Sequence, residues 1–281
     1  MYEIKFDTIQ SDGVIDSPVN ELIKLNSVLR YEKLYDQVVE SYLDFKVNLY
    51  KRVLAFSAQN GFYLSDMHMK NYEDNSHLNR LLFNFLNFGK LYVDKFYLPE
   101  NRFSEKSCYI FDVTGNSCDL ELAKKFKESE KEKNLGFFVG IELRNVSQHR
   151  DLVINGSVQS VSVKSDEKSV NVSFHIPIYR DELISLLPAS KKSLKRRIKL
   201  EYGCDMDLHV VLDEFMLGIY NLHNFSRKAI KNNLDVIKES DAVISSKLSS
   251  VHHALELIDY LYGKNIEKPD FSNLRYGLYK S

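Results

Sequence analysis

Arg144-Asn145-Val146-Ser147-Gln148-His149 sets a fixed cation, a carboxamide and a titratable imidazole within one short segment. An imidazole titrating near neutrality can move protons, and a guanidinium can hold a phosphate through two parallel hydrogen bonds. That pair is the minimum equipment for cutting RNA without a metal, one group transferring a proton and the other stabilising charge at phosphorus. The spacing makes a demand of its own. Positions five apart on an ideal helix are separated by about 140°, so Arg144 and His149 do not share a straight helix face. Either the helix breaks near Val146 or the active centre is assembled between two chains. A structural role is open to the same residues: Arg144 near a helix end can serve the dipole and the last carbonyls, Asn145 can be a C-cap, and His149 can be an ordinary loop residue.

A second candidate is the basic cluster Lys191, Lys192, Lys195, Arg196, Arg197 and Lys199, the only dense run of its kind, with Arg150 placed directly after the motif. These cations can track an RNA backbone through counterion release, or form a solvated helix face. His209, His223 and the pair His252-His253 raise a metal hypothesis. Adjacent histidines point about 100° apart on a helix, and no HExxH-type spacing supports a site, so they are assigned to surface or packing roles. No metal and no other cofactor is expected. Neither a Walker A loop, a GxGxxG turn nor a GxSxG elbow occurs, which leaves nucleotide-hydrolase and serine-hydrolase readings without support.

The composition bounds the rest. With 44% hydrophobic and 27% charged residues, the chain is ordinary for a globular protein. Its net charge of −1 gives no global sign of nucleic-acid binding, so any RNA contact needs a local basic patch. Only 11 Gly and 5 Pro occur, which favours long regular elements. Cys108, Cys118 and Cys204 form no CxxC pair and no disulfide framework. No apolar run approaches a membrane span, and the expected location is the cytoplasm.

The elements that must position the motif follow from periodicity. Residues 1–16 alternate loosely and predict a short strand or hairpin. Ser17-Pro18 reads as a helix start, opening a helix to about Gln59. Its apolar face is Leu25, Val28, Tyr35, Val39, Tyr42, Leu49, Val53 and Phe56, interrupted by Glu32 and Lys46. Asn75 or Ser76 caps a second helix to about Tyr97, and residues 100–116 read as a loop. Asn116 or Ser117 caps a third helical stretch that runs through the Lys/Glu-rich 124–133 and the apolar Leu135–Leu143 to the motif. Val158–Val163 and Val170–Ile176 alternate as a β-hairpin. A helix is expected from Asp205 to about Asn224, and another from Arg227 to Tyr262. The latter carries Ile230, Ile237, Ile244, Val251 and Ile258 at one heptad position and Leu234, Leu248, Leu255 and Tyr262 at the other, with Asp241 as the exception. It packs on the first helix within one subunit or forms a dimer seam.

Arg144, Asn145 and His149 match the R-N-x-x-x-H form of the motif of HEPN domains, and Glu142–Arg150 resembles the "LRNYxQH" variant of it. Asn79–Asn87 is similar to a preceding helix in the same group of bacterial proteins. That helix usually ends in an Asp-His pair, where this chain has Asp94-Lys95. The resemblance covers roughly residues 75–155. It implies an all-α bundle whose paired motifs face each other across a homodimer, and a metal-independent endoribonuclease. His149 would take a proton from the ribose 2′-OH or give one to the leaving 5′-oxygen, Arg144 would stabilise the transition state, and Asn145 would orient the motif or a phosphate. The products would be a 2′,3′-cyclic phosphate and a 5′-hydroxyl. A role in bacterial defence or as a toxin, with an antitoxin or regulatory partner, is implied by the resemblance alone.

The expected architecture is therefore mainly α, a HEPN-like helical bundle with a β-hairpin insertion after the motif. It divides into an N-terminal strand or hairpin (1–16), a HEPN-like helical region (17–150), the hairpin insertion (151–180) and C-terminal long helices completing the bundle (181–281). The expected function is a homodimeric endoribonuclease acting on RNA. The alternative is a non-catalytic helical protein that binds RNA or a partner.

Overall fold

The computed structural model describes residues 17–58, 64–100, 107–149, 153–154, 158–164, 169–240, 243 and 249–265. The expected strand or hairpin at 1–16 lies outside them, as do the turn at 165–168 and the tail beyond 265. The fold is mainly α. Helices α1 (Ser17–Ala58), α2 (Leu64–Phe96), α3 (Tyr109–Thr114), α4 (Cys118–Lys133) and α5 (Leu135–His149) precede an antiparallel hairpin of β1 (Val158–Lys164) and β2 (Ser169–His175). Then come β3 (Pro177–Tyr179), α6 (Arg180–Leu186), α7 (Lys192–Glu201), β4 (Asp205–Asp207), α8 (Leu208–Lys238) and α9 (Ser249–Lys264). In the hairpin Val161 stands opposite Val172. Among the described residues no helix is long and apolar enough to cross a membrane.

Several boundaries differ from the periodicity, each for a local reason. α2 begins at Leu64, well before Asn75, and Asn75 does not start it: Arg52 of α1 donates from Nη1 to Asn75 Oδ1 (2.8 Å) and pairs with Asp74 (3.3 Å). The expected loop at 100–116 contains α3, which ends on Gly115 in the left-handed conformation that glycine adopts without strain. The stretch 117–149 is two helices, divided at Asn134. Asn116 does cap α4, its Oδ1 accepting the Cys118 N–H (3.0 Å). Before α8 the residues Asp205–Asp207 are a strand, β4, and not the start of a helix. α8 itself passes unbroken through 224–227, where Ser226 turns its hydroxyl inward to Leu222 O (2.9 Å). It stops at Lys238, with Ser240 bonding back to Ile237 O. Among the described residues the heptad positions fall on α8 and α9, with Asp241, Ile244 and Leu248 outside them, and α9 buries Val251, Ala254, Ile258 and Leu261 in place of Leu255 and Tyr262.

The chain divides into two compact units, each discontinuous in sequence. The first comprises Met1–Val38, Leu91–Ser129 and Ile219–Lys268. Its interior joins the N-terminal half of α1 to α8 and α9. Leu25, Val28, Leu29, Tyr31, Tyr35 and Val38 are buried from α1, so Val38 takes the core position expected of Val39. Glu32, which interrupts the apolar stripe, is itself 0% exposed. Arg227 of α8 grips its carboxylate with two nitrogens, Nη2 at 2.6 Å and Nε at 3.2 Å. The same guanidinium donates to the carbonyls of Leu261, Tyr262 and Asn265 at the end of α9 and lies over the Tyr262 ring. Lys264 pairs with Asp36 (2.8 Å), so α9 packs on α1 and α8 of its own chain. His223 stacks on Tyr35 with centroids 3.6 Å apart and meets Tyr92 Oη through Nδ1 (2.8 Å). It is a packing residue, held in an ionic interior.

Burial dominates at His223 and lowers its imidazole below the ordinary value, against the pull of Glu32. At Glu32 burial would raise the carboxyl, but His223 and Arg227 outweigh it and hold it below the carboxylate range. Because burial disfavours the charged imidazole of His223, the two-pronged Arg227 is the permanent counter-charge of Glu32. Both folded groups resist protons that the unfolded chain accepts. Stability is therefore complete above the ordinary imidazole pKa of 6.5, falls as pH drops through it, and falls again as Glu32 is forced to protonate. Replacing His223 by Asn keeps an acceptor for Tyr92 and removes the titration. Urea midpoints between about pH 7.5 and 5.5 should then lose most of their acid slope; a slope equal to the wild type would refute this account.

Candidate functional site

The second unit comprises Val39–Lys90, Glu130–Gly218 and Pro269–Ser281, and it contains the motif helix. Asn134 starts α5 as an N-cap: its Oδ1 accepts the Phe137 N–H (2.9 Å) and its Nδ2 donates to Glu214 O on α8 (2.8 Å). α5 then lies against α8 with almost no clearance. Gly136 faces the side chain of Glu214, Gly140 faces the ring of Phe215, and Gly218 of α8 faces the ring of Phe137. A methyl group at any of the three would overlap its neighbour. The rings of Phe137 and Phe215 fill the space the glycines leave, 6.0 Å apart, and Phe85 of α2 packs edge-on to Phe215. Leu135, Phe137, Val139, Ile141 and Leu143 are all buried, so α5 is the inner helix that its apolar run predicts.

Polarity begins at Glu142, which is 2% exposed. Its carboxylate accepts Lys191 Nζ at 2.6 Å on one oxygen and Asn145 Nδ2 at 3.3 Å on the other. Arg144 donates from Nε to Asn87 Oδ1 on α2 (3.2 Å), and Gln148 donates to the same oxygen (3.0 Å). Ser147 bonds to Arg144 O. Asn79, further back on α2, brackets the buried Ile154 after the motif, donating to its carbonyl (2.7 Å) and accepting its N–H (3.0 Å). Asn79 and Asn87 are about 80° apart around α2, so one side of that helix holds both the motif and the chain that leaves it.

α5 continues to His149 without a break, and Val146 is buried within it. A helix break at Val146 is thereby excluded as the way to bring Arg144 and His149 together. Asn145 lies inside the helix, bonded to Glu142, and is not its C-cap. The side chain of His149 and all of Arg150 lie outside the described residues. Asp94, at the place of the Asp-His pair, belongs to the first unit and lies 3.9 Å from Lys127.

The basic cluster begins at Lys191, directly before α7, and runs through that helix, which packs against α5. β3 and β4 pair antiparallel and bracket α6 and α7 in the sequence. Leu194 and Ile198 are buried, and Tyr202 donates to Glu214 of α8 (3.1 Å). Two of the cations are structural. Lys191 joins Glu142 and lies 5.6 Å from the Phe138 ring, while Arg197 chelates Glu201 and donates to Lys131 O (2.7 Å). Lys192, Arg196 and Lys199 are exposed, and Lys195 is half-buried. The motif and the cluster, far apart in sequence, thus lie on neighbouring helices.

No protein-family model, curated protein or solved structure matches the chain.

The remaining histidines sort by burial. His209 is buried beside Lys46 and Asp213, where Lys46 Nζ donates to Asp213 Oδ1 (2.9 Å). Burial would raise the Asp213 carboxyl, but His209, Lys46 and a hydrogen bond from Tyr42 hold it low. His252 and His253 are on the outer side of α9. Among the described residues no group of three or more His, Cys, Asp or Glu is placed to hold a metal.

Position 140 tests the seating of the motif helix. In an exposed helix Gly→Ala is stabilising by roughly 0.5–1 kcal/mol. Gly140→Ala should instead destabilise by about 1–3 kcal/mol, because overlap with Phe215 exceeds that gain. Gly263→Ala, with open space around it, should show the ordinary gain. Denaturant midpoints of the two variants moving in the same direction would contradict the close approach of α5 and α8.

Proposed function

We propose that this chain is a metal-independent endoribonuclease of HEPN type, with its active centre assembled from two copies of α5. The observation that carries this reading is the packing of the basic helix α7, which bears exposed Lys192 and Arg196, against the helix that carries the motif. The unbroken α5 supports the requirement for a second chain, because one copy directs Arg144 and position 149 about 140° apart. In a homodimer one His149 takes the proton from the ribose 2′-OH as that oxygen attacks phosphorus. The second gives a proton to the departing 5′-oxygen, and the two Arg144 guanidinium groups hold the charge on the non-bridging oxygens. The products are a 2′,3′-cyclic phosphate and a 5′-hydroxyl. A role in bacterial defence or as a toxin, with a neutralising partner, belongs to the same proposal and rests on the resemblance of the motif.

A second reading has one observation in its favour. Asn145 is committed to Glu142 within the chain, as Lys191 is, and such contacts serve a non-catalytic helical protein that binds RNA or a partner equally well.

The two readings separate in EDTA. Wild-type protein should cleave RNA to cyclic-phosphate ends and His149→Ala should lose at least about a hundredfold in rate; equal cleavage by the variant would remove His149 from the mechanism. Binding tests the basic helix separately. Lys192→Ala with Arg196→Ala should lower the slope of log K against log salt by about 1.4 for single-stranded RNA. Arg197→Ala should act mainly on stability, since its guanidinium is spent on Glu201 and Lys131.

A further inference from the structure

We infer that Asn87 is a positioning residue for Arg144, fixing which edge of the guanidinium meets a phosphate. This rests on the reading of α5 as an RNA-cleaving helix. A guanidinium can take a phosphate with two parallel bonds along its Nε/Nη edge or across its two terminal nitrogens. Here the Nε–H is consumed by Asn87 Oδ1 at 3.2 Å. The side edge is closed and Arg144 addresses an anion end-on, through Nη1 and Nη2, which have no partner among the described residues.

Gln148 makes the arrangement specific. It lies one turn beyond Arg144 and donates to the same Asn87 oxygen at 3.0 Å. Two donors converging on one amide leave a single way for that amide to face, oxygen toward α5. The Asn87 Nδ2 is consequently turned away from both as a further donor, with no partner among the described residues. Asn87 itself sits on a secured support, because Phe85 and Leu86 beside it are fully buried. The motif residue Gln148, which has no assigned part in proton transfer, thereby acquires a role: it orients the residue that orients Arg144.

A double-mutant cycle tests this with oligouridylate as the probe. Binding is measured in the His149→Ala background and cleavage with His149 intact. Asn87→Ala should weaken binding or turnover by about three- to tenfold. In an Arg144→Ala background the same change should have no further effect, whereas a merely structural Asn87 would add its loss to that of Arg144. The Arg144 Nε–H resonance gives a readout that needs no RNA. It should exchange slowly in wild type and in Asn87→Asp, which keeps the acceptor, and rapidly in Asn87→Ala. Gln148→Ala should give a smaller effect of the same kind and serves as the second variant if Asn87→Ala fails to fold. Additive losses, or an Nε–H unchanged by Asn87→Ala, overturn the assignment. A protected Nε–H in a protein that neither binds nor cleaves oligouridylate overturns the RNA reading, and with it this role for Asn87, while leaving the Asn87–Arg144 bond as structure alone.

Discussion

Charge buried between α1 and α8 constrains everything packed around those helices. In the first unit the acid is on α1 and the base on α8, Glu32 against Arg227. In the second unit the order is reversed, with Lys46 on α1 against Asp213 on α8. Neither Glu32 nor Lys46 retains contact with solvent beyond 1%. Such pairs contribute little net stability compared with apolar residues of the same size, because desolvation offsets their attraction. Their leverage lies in what happens when they are broken. A lone charge left in either interior costs about 3–5 kcal/mol, so a slip of α1 along α8 is penalised far beyond the loss of apolar contact. The pairs therefore act on register, and Arg227 extends the effect to α9 by taking up its terminal carbonyls.

With α8 held in register, α5 has one place to go. Glycine on both helices removes the side chains that would keep them apart, and Phe137 and Phe215 occupy the space. That close approach seats α5 along α8, because Glu214, Phe215 and Phe137 each face a glycine across the contact. The height of Arg144, Asn145 and Gln148 relative to α2 is therefore decided several residues earlier, by Asn134, Gly136 and Gly140. Asn87 and Asn79 then engage groups already within reach, and the side chains of the motif are organised by the depth at which their helix is seated.

How much of this was legible in the sequence depends on which kind of signal each residue carries. Apolar spacing located the body of α1 and the buried α5, because burial enforces their period, and alternation located the hairpin after them. It misjudged α2 because Asn75 looks like a cap until Arg52 is known to claim it. It also placed a boundary at 224–227, where Ser226 proves to be buried against Leu222 O and Arg227 to grip the buried Glu32. The motif and the basic run were visible as residue types, but their adjacency was not, since nothing local links Lys191 to Glu142. Asn87 was hidden for the same reason. One asparagine on a helix carries no pattern, and only the end of the segment resembling a HEPN helix fell upon it.

The unbroken α5 sharpens what one chain can do. By helical register position 149 comes round to within about 20° of Glu142, one heptad before it, whereas Arg144 falls on the side of Asn87. Glu142 is joined to Lys191 and the start of α7, and Asn87 belongs to α2. A phosphate held end-on by Arg144, as proposed above, would lie on the α2 side of the motif helix, away from the face on which position 149 emerges. Within one copy, Arg144 and position 149 therefore stand on different sides of α5. If the motif is catalytic, the imidazole that reaches a phosphate held by Arg144 belongs to another chain, and the dimer is then a condition of the chemistry. Under the alternative reading proposed above, Arg144 with Asn87 and Gln148 would be a phosphate-holding rim of a protein that binds RNA without cutting it.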